Sequence, residues 1–291
     1  MSAEKTIKGL SLFLSQCIQT IASMGKVMIK SKSGKTIPKA PSSTCIVLGN
    51  GPSLKTSLES YPDFFTKHSL VCVNSFSITP EYTSLKPSYY VILDPGFWYG
   101  DSEVVTNTIE SLKTKTTWTL YLLVPHEAKK SQNFRELGKH NANIKISYFN
   151  YTVYKGFEGI GYWLYAKNLA MPQSQNVLVA SLFLSINIGF KEIYLFGADH
   201  GWHENLFVTD ENVLCFKDTH FYDGKEKINY RPFYKGIHLK ETFTMHEILI
   251  TFSKIFYGYE VINKYAQHCK AKIYNASEVS FVDAFERKKI K

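Results

Sequence analysis

An apolar run that leads into a glycine-rich turn constrains the fold of this chain more than any other feature. Cys45–Leu48 is followed by Gly49, Asn50, Gly51, Pro52 and Ser53. Glycine lets a backbone turn sharply and approach a ligand closely, proline suits the first turn of a helix, and serine can cap a helix start. The run therefore predicts a strand, a tight turn and a helix whose free N–H groups favour an anion. An ordinary strand–turn–helix corner is the structural alternative, because the pattern matches neither GxGxxG nor the Walker P-loop.

Apolar runs and helical segments alternate along the rest of the chain. After Cys45–Leu48, strands are predicted at Ser69–Val73, Tyr89–Leu93, Thr117–Val124, Ile144–Tyr148, Lys191–Phe196 and Lys272–Tyr274. Helices are predicted at Asn176–Ile188, which Gly189 closes, at Leu239–His268 and at Ser280–Arg287. This alternation is typical of an α/β fold with a Rossmann-like, mostly parallel sheet and helices on both faces.

The composition is that of a folded globular protein in a reducing compartment. Hydrophobic residues make up 44% of the 291 residues, which suffices for one large α/β domain. The five cysteines include no CxxC pair and no zinc-type spacing, which favours buried, reduced thiols in a cytoplasmic protein. The net charge of +9 is concentrated near the two ends of the sequence. Because no RNA-binding signature accompanies this charge, no nucleic-acid partner is predicted.

The first 44 residues predict a helix and a linker ahead of the main domain. Apolar residues in Ile7–Ile29 recur at helical spacing, and residues 31–44 are rich in Ser, Lys and Pro. Two interpretations are open, since the helix could pack on the protein's own body or lie on a membrane surface. Polar residues interrupt the segment, so neither a signal peptide nor a transmembrane span is predicted. The predicted organisation is an amphipathic helix and basic linker at 1–44 and a Rossmann-like domain at 45–291.

Two segments of the main domain are predicted to cover a site. Residues 150–165 combine three glycines with several aromatic residues, which indicates a mobile loop or a small subdomain. Residues 201–240 have no long apolar period and carry Trp, His, Asp and Tyr side chains. A segment of that length in a compact domain is more typical of a lid than of a structureless loop. The fold prediction therefore includes a lid subdomain.

Polar residues follow four of the predicted strands. Asn50 follows the first strand, Asn74 the second and Asp94 the third, and Asp199-His200 follow the strand at Lys191–Phe196. Ligands of open α/β sheets bind at the carboxyl ends of the strands. We therefore expect these side chains to face one crevice. Each of them alone is also compatible with an ordinary turn.

The motifs at these positions resemble two related families. The resemblance rests on Gly49–Leu54, Val73-Asn74, Ile92–Pro95 and Gly189–His200, and it extends from Cys45 to Asp199. One family is the bacterial sialyltransferases that build lipooligosaccharide from CMP-sialic acid. The other is the 6-hydroxymethylpterin diphosphokinase-like family, whose members also occur among flagellin-modifying and polysaccharide-cluster proteins.

The sialyltransferase resemblance implies a nucleotide site at the strand ends. In that family the glycine turn holds the nucleotide phosphate and ribose, and asparagines at two later strand ends contact the nucleotide; Asp94 stands at the second of these positions here. The family's general-base histidine lies in the lid region, where His238 has a comparable place in a different local motif and His220 is a second candidate. The implied nucleotide-binding residues are Gly49, Asn50, Gly51, Pro52, Ser53, Asn74, Asp94, Asp199 and His200, and the candidate catalytic residues are His238, His220 and Asp199.

A metal ion is left open by the sequence. Carboxylate and imidazole groups cluster after one strand at Asp199, His200, His203 and Glu204, with Asp94 expected in the same crevice. Magnesium that bridges a diphosphate suits such carboxylates, so Mg²⁺ is a candidate cofactor without assigned ligands.

Three functions of different classes are consistent with these features. The leading hypothesis is a glycosyltransferase of bacterial surface polysaccharide (lipopolysaccharide or capsule) synthesis, cytoplasmic or peripheral on the inner membrane. It would transfer a sugar from a nucleotide-activated donor, such as CMP-sialic acid or a related CMP-sugar, to a glycan or glycolipid acceptor. The alternatives are a magnesium-dependent diphosphotransferase that acts on a small hydroxymethyl substrate and a non-catalytic nucleotide-binding scaffold at a membrane. Contact with a membrane surface and assembly into a homo-oligomer are also open.

Overall fold

An eight-stranded parallel sheet forms the centre of the molecule in a computed structural model that describes residues 3–33, 37–217, 230–236 and 240–290. A smaller sheet has three strands. The strands of both sheets in chain order are β1 (Thr44–Leu48), β2 (Ser69–Val73), β3 (Tyr89–Val91), β4 (Leu120–Pro125), β5 (Ile144–Phe149), β6 (Glu192–Phe196), β7 (Leu206–Val208), β8 (Leu214–Phe216), β9 (Arg231–Pro232), β10 (Lys272–Asn275) and β11 (Glu286–Arg287). The order in the large sheet is β11-β10-β6-β1-β2-β3-β4-β5, and each neighbouring pair is parallel.

Helices connect these strands and flank the sheet. They are α1 (Ala3–Lys30), α2 (Ser53–Ser60), α3 (Pro62–Lys67), α4 (Glu81–Leu85), α5 (Pro95–Tyr99), α6 (Glu103–Lys115), α7 (Gln132–His140), α8 (Glu158–Ala166), α9 (Val177–Ile188) and α10 (Met245–His268).

Both faces of the large sheet are buried under helices. In β1, Cys45 and Val47 belong to the core that α9 and α10 cover, whereas Ile46 and Leu48 belong to the core on the opposite face. Near-continuous apolar strands of this kind are typical of parallel sheets with helices on both sides. The predicted α/β fold with a mostly parallel, Rossmann-like sheet is thus confirmed.

Helix α9 is the central helix of one face, and capping residues at each end define where it begins and stops. The Asn176 side chain accepts a hydrogen bond from the Val179 N–H at 2.9 Å, which caps the helix start. Gly189 closes the helix with φ +114°, a conformation that glycine adopts without a Cβ penalty. The predicted helix and its glycine end are confirmed.

The predicted helix at Ser280–Arg287 is wrong. This segment is an extended strap that ends in β11, which pairs with β10. The Asn275 amide donates to the Val282 carbonyl at 2.8 Å, and the Ser280 hydroxyl donates to the Ala198 carbonyl at 2.5 Å. Side-chain bonds to the backbone of this type compete with helix formation. They hold the strap against the turn that follows β6.

The two predicted cover segments contain regular structure. In the described part of residues 201–240, a short 3₁₀ helix at Trp202–Asn205 leads into an antiparallel sheet of order β7-β8-β9. Residues 158–166 form α8 instead of a mobile loop, and the backbone ahead of it packs on α1.

The amphipathic segment forms α1, and its second half contacts the main domain. Thr20, Ser23 and Val27 are buried there, whereas most apolar side chains of the helix are exposed. By length and composition alone, Ile7–Lys30 is the one helix among the described residues that is long and apolar enough to cross a membrane, with a mean hydropathy of 1.3. The segment is therefore less polar than the sequence analysis assumed when it excluded a membrane span.

Candidate functional site

A deep cavity lies where the chain reverses its direction of winding in the sheet. From β1 the chain adds β2 to β5 on one side, and β6 then returns to pair with β1 on the other side. The carboxyl ends of strands at such a switch point form the usual ligand crevice of open α/β sheets. A cavity of about 680 Å³ opens there, large enough for a nucleotide-sized ligand.

The expected convergence of the four strand ends is observed. Asn50, Asn74, Asp94, Asp199 and His200 all line this cavity, together with Gly51 and Pro52 of the glycine turn. Gly49 and Ser53 are not among the residues that line it. The binding roles assigned to these residues from the sequence stay predictions.

The glycines of the first turn serve a close contact between two turns. The Gly51 N–H donates to the Gly197 carbonyl at 2.9 Å, and the Gly49 N–H donates to the Phe196 carbonyl at 2.8 Å. A Cβ on Gly49 would lie 2.4 Å from the Gly197 carbonyl oxygen, and a Cβ on Gly51 would lie 2.6 Å from the same atom. Gly197 itself has φ +62°. Side chains would therefore force the β1 and β6 turns apart.

Asp199 binds the start of α2. One Asp199 oxygen accepts the Ser53 N–H at 2.8 Å, and the other accepts the Ser53 hydroxyl at 2.5 Å. Burial raises the pKa of Asp199, and the two Ser53 hydrogen bonds oppose that rise. The N–H groups of Gly51 and Ser53 therefore both have protein acceptors, and the phosphate-binding role of the turn stays a prediction.

Two side-chain amides in the cavity have unused acceptors. The Oδ1 atoms of Asn50 and Asn74 are buried, and neither accepts a hydrogen bond from a described residue. The Asn50 amide donates to the Val73 carbonyl at 3.4 Å, which fixes its side chain between the ends of β1 and β2. Asn74 has φ +47°, and the Tyr90 hydroxyl donates to its carbonyl at 2.5 Å. The Asn50 side chain is thus held in place, and both oxygens need a donor that no described residue supplies.

Asp94 caps a short helix at the rim of the cavity. Its Oδ1 accepts the Gly96 N–H at 2.8 Å at the start of α5, and Pro95 occupies the first helical position. Asp94 is exposed. The turn interpretation of this Asp-Pro pair therefore holds, and the carboxylate still faces the cavity.

His200 is part of a buried hydrogen-bonded group behind the cavity. Its Nε2 lies 2.6 Å from the Tyr259 hydroxyl and 3.2 Å from the Asn176 amide nitrogen, and its ring stacks on Trp202. Burial lowers the pKa of His200 to about 3, so its imidazole is neutral near pH 7. A neutral, buried imidazole suits positioning and hydrogen bonding better than attraction of a phosphate.

The described part of residues 201–240 contributes several side chains to the cavity. Trp202, Glu204, Phe216 and Lys217 line it. From residues 150–165 only Tyr151 does, and its hydroxyl donates to the Ser174 carbonyl at 2.6 Å. The candidate bases His220 and His238 lie outside the described residues.

Comparison with known proteins identifies the family. The model of the 6-hydroxymethylpterin diphosphokinase MptE-like family matches residues 16–205, which is more than half of the chain. This chain belongs to the MptE-like family. The matched region runs from within α1 through β6 and contains all four strand ends of the cavity. Of the two suspected families, the diphosphokinase-like one is therefore confirmed, and membership supports a transferase without selecting the transferred group.

Among solved structures, a MAf glycosyltransferase from Magnetospirillum magneticum AMB-1 is similar to this MptE-like chain. The similarity covers 95% of this chain at 12% identity with a TM-score of 0.49. This chain spans 38% of the length of that structure. A search of curated proteins found no match.

The described residues of this MptE-like chain do not form a metal site by themselves. Among them, no three His, Cys, Asp or Glu side chains are placed to hold one ion. Asp94, Asp199 and Glu204 line the cavity, but both Asp199 oxygens already bind Ser53. A magnesium ion held jointly by these side chains and a substrate stays a prediction.

Three residues of the MptE-like site were missed by the sequence analysis. Asn176 and Tyr259 bind His200, and Lys217 is the one Lys or Arg among the described residues that line the cavity. Asn176 precedes a long apolar helix, and that cap signal could have placed it beside the strand ends. Tyr259 and Lys217 carry no comparable signal, because only tertiary packing brings Tyr259 to His200 and Lys217 to the cavity.

Proposed function

We propose that this MptE-like protein is a transferase that binds a nucleotide-activated donor in the cavity at the ends of β1, β2, β3 and β6. The observation that carries the proposal is the pair of buried amide oxygens of Asn50 and Asn74, which have no partner among the described residues. A buried acceptor without a partner costs about 1–3 kcal/mol, so two in one cavity are explained best by a ligand that brings donors. Ribose hydroxyls and the exocyclic amino group of a base are such donors.

The donor's phosphate needs a positively charged partner in the cavity. Lys217 is half-buried and supplies the one cationic side chain among the described residues of the cavity wall. A lysine ammonium binds phosphate as a compact charge with three hydrogen-bond donors. We assign Lys217 to the phosphate and the two asparagines to the nucleoside.

The transferred group that we favour is a sugar, with a CMP-linked sugar as the first donor to test. The resemblance of Gly49–Leu54 and Asn74 to the CMP-sialic acid sialyltransferases supports this choice. In such a transfer the acceptor hydroxyl attacks the anomeric carbon, the bond from that carbon to the phosphate oxygen breaks, and CMP leaves. The hydroxyl proton goes to a general base, for which His238 and His220 stay candidates. A glycan or glycolipid of a bacterial surface polysaccharide is the acceptor class that the same resemblance supports.

Diphosphoryl transfer is the second candidate, because the family description names a diphosphokinase. A substrate hydroxyl would then attack the β-phosphorus of ATP and release AMP. Asp94 and Glu204 on the cavity wall are carboxylates of the kind that hold magnesium together with substrate phosphates. This reaction requires the divalent ion, whereas glycosyl transfer of the resembled type does not.

Ligand-induced thermal stabilisation tests the proposal. The melting temperature would be measured with CMP, UDP, GDP and ATP, each with and without Mg²⁺. We expect a rise of several degrees with one nucleotide, since a bound ligand stabilises the folded state by mass action. Release of CMP from a CMP-sugar would then identify glycosyl transfer, and release of AMP from ATP would identify diphosphoryl transfer. No shift with any nucleotide would contradict the proposal.

The role of Lys217 is tested by comparing CMP with cytidine. For Lys217→Met we expect the affinity for CMP to fall about tenfold or more, because a charge-assisted hydrogen bond is lost, while the affinity for cytidine is unchanged. Lys115→Met changes an exposed lysine of α6 and serves as the matched control. Calorimetric titration of each variant gives the affinities. Equal losses for CMP and cytidine would contradict the assignment to the phosphate.

A further inference from the structure

Helix α1 turns its apolar side away from the rest of the molecule. Leu10, Leu14, Ile18, Ile21 and Met28 recur at intervals of three, four or seven residues and are each more than half exposed. Residues at such intervals lie on one side of a helix. An apolar stripe of this length is exposed on a globular protein chiefly where another surface covers it.

The opposite side of α1 is fixed to the main domain. The Ser23 hydroxyl donates to the Lys155 carbonyl at 2.9 Å, and the Phe157 N–H donates to the Thr20 hydroxyl oxygen at 3.1 Å. Gly156 has φ +132°, and a Cβ there would lie 2.1 Å from the Thr20 hydroxyl oxygen. This close packing holds the second half of the helix along the protein surface. A helix held in this way can lie on a membrane but cannot cross it without leaving these contacts.

The charge around α1 selects an anionic surface. From residue 5 to residue 58 the chain has eight lysines and no Asp or Glu. Lys5, Lys8, Lys26 and Lys30 of α1 are exposed. Each lysine near an anionic bilayer contributes about 1 kcal/mol of attraction. A second copy of this chain would bring like charges together, so the lysines favour lipid headgroups over self-association.

We propose that α1 docks the protein on an anionic lipid bilayer, with the helix axis in the plane of the interface and the apolar stripe among the upper acyl chains. An amphipathic helix with lysines and a continuous apolar stripe binds in this way through buried apolar area and charge together. The docking surface consists of α1 alone and shares no residue with the cavity. The docking proposal can therefore be tested independently of the proposed transferase activity.

Co-sedimentation of the full chain with vesicles tests the docking. Vesicles of phosphatidylcholine alone are compared with vesicles that contain one quarter phosphatidylglycerol, at low and at high salt. We expect binding to the anionic vesicles that weakens as salt rises, and at least tenfold weaker binding of the triple variant Leu14→Gln, Ile18→Gln and Ile21→Gln. Leu249→Gln with Ile250→Gln changes exposed apolar residues of α10 and is the matched control.

The outcomes distinguish a bilayer surface from a second copy of the chain and from a membrane-spanning helix. An unchanged melting temperature and circular dichroism spectrum show that the triple variant is folded. The tryptophan fluorescence emission of an Ile18→Trp variant should shift to shorter wavelength when anionic vesicles are added. Equal binding of wild type and triple variant would overturn the proposal. A wild-type dimer that the triple variant converts to monomer, without vesicle binding, would overturn it in favour of a second copy. Membrane-bound protein that resists extraction with carbonate at high pH would overturn it in favour of a spanning helix.

Discussion

Side chains at the strand ends divide into those that build the site and those that are open to a ligand. Asp199 and Gly51 join the β1 and β6 turns, through Ser53 and Gly197. Asn50 and Asn74 each have a side-chain oxygen without a partner among the described residues. This division leads to different expectations for substitutions that are neighbours in the sequence.

We expect Asn50→Ala to weaken nucleotide binding without weakening the fold. The substitution removes a buried acceptor that has no partner among the described residues together with one long bond, 3.4 Å, to the Val73 carbonyl, so the unliganded melting temperature should change by no more than a few degrees. The stabilisation by the bound nucleotide should fall by more than half. Thermal melts with and without nucleotide measure both quantities, and Asn107→Ala on the exposed side of α6 is the control. A lower unliganded melting temperature with full nucleotide response would contradict the ligand role.

His200 gives the protein a defined sensitivity to acid. Burial lowers the pKa of His200 in the folded state to about 3 from an ordinary value of 6.5. Between these two pH values the unfolded chain therefore binds a proton that the folded chain does not. The free energy of unfolding should therefore decrease as the pH is lowered. From this group alone, we expect a decrease of about 2 kcal/mol between pH 6.5 and pH 5. Urea denaturation at both pH values measures it. His200→Asn, which tolerates the φ of +56°, should reduce this loss, whereas His246→Asn at an exposed position should not.

At the scale of elements, the contact between the β1 and β6 turns determines whether the cavity forms. A Cβ on Gly51 would meet the Asp199 carboxylate and the Gly197 carbonyl, both at 2.6 Å. We expect Gly51→Ala to lower the free energy of unfolding by about 1–3 kcal/mol, which urea denaturation measures. Gly159→Ala in α8 is the matched control, because no atom lies within 4 Å of its Cβ position and alanine favours a helix. Equal stability of Gly51→Ala and the wild type would show that the turns can separate freely.

The sheet and the meeting of its strand ends could be predicted, because parallel strands place their carboxyl ends at one edge. The hydrogen bonds of Asp199 to Ser53 could not, since they join residues 146 positions apart and depend on the packing of two turns. The start of α10 was predicted six residues early, although Thr244 and Glu247 form a capping box that the sequence displays. The strap at 280–285 was taken for a helix because its bonds to Asn275 and Ala198 are tertiary.

At the scale of the whole molecule, the two proposals rest on two separate surfaces. The cavity at the strand ends has polar groups suited to a nucleotide, and α1 presents an apolar stripe among lysines. An enzyme that joins a cytoplasmic donor to a glycolipid acceptor needs both a donor pocket and a position at the membrane. Variants of one surface should leave the other intact, which the vesicle and nucleotide measurements can check on the same protein preparations.

A crystal structure with the nucleotide that gives the largest thermal shift tests the central proposal most directly. We expect the nucleoside to lie at the ends of β1 and β2, within hydrogen-bond distance of the Asn50 and Asn74 side-chain oxygens, with its phosphate near Lys217. A nucleotide bound elsewhere, or one in the cavity that leaves both asparagine oxygens without a partner, would contradict it.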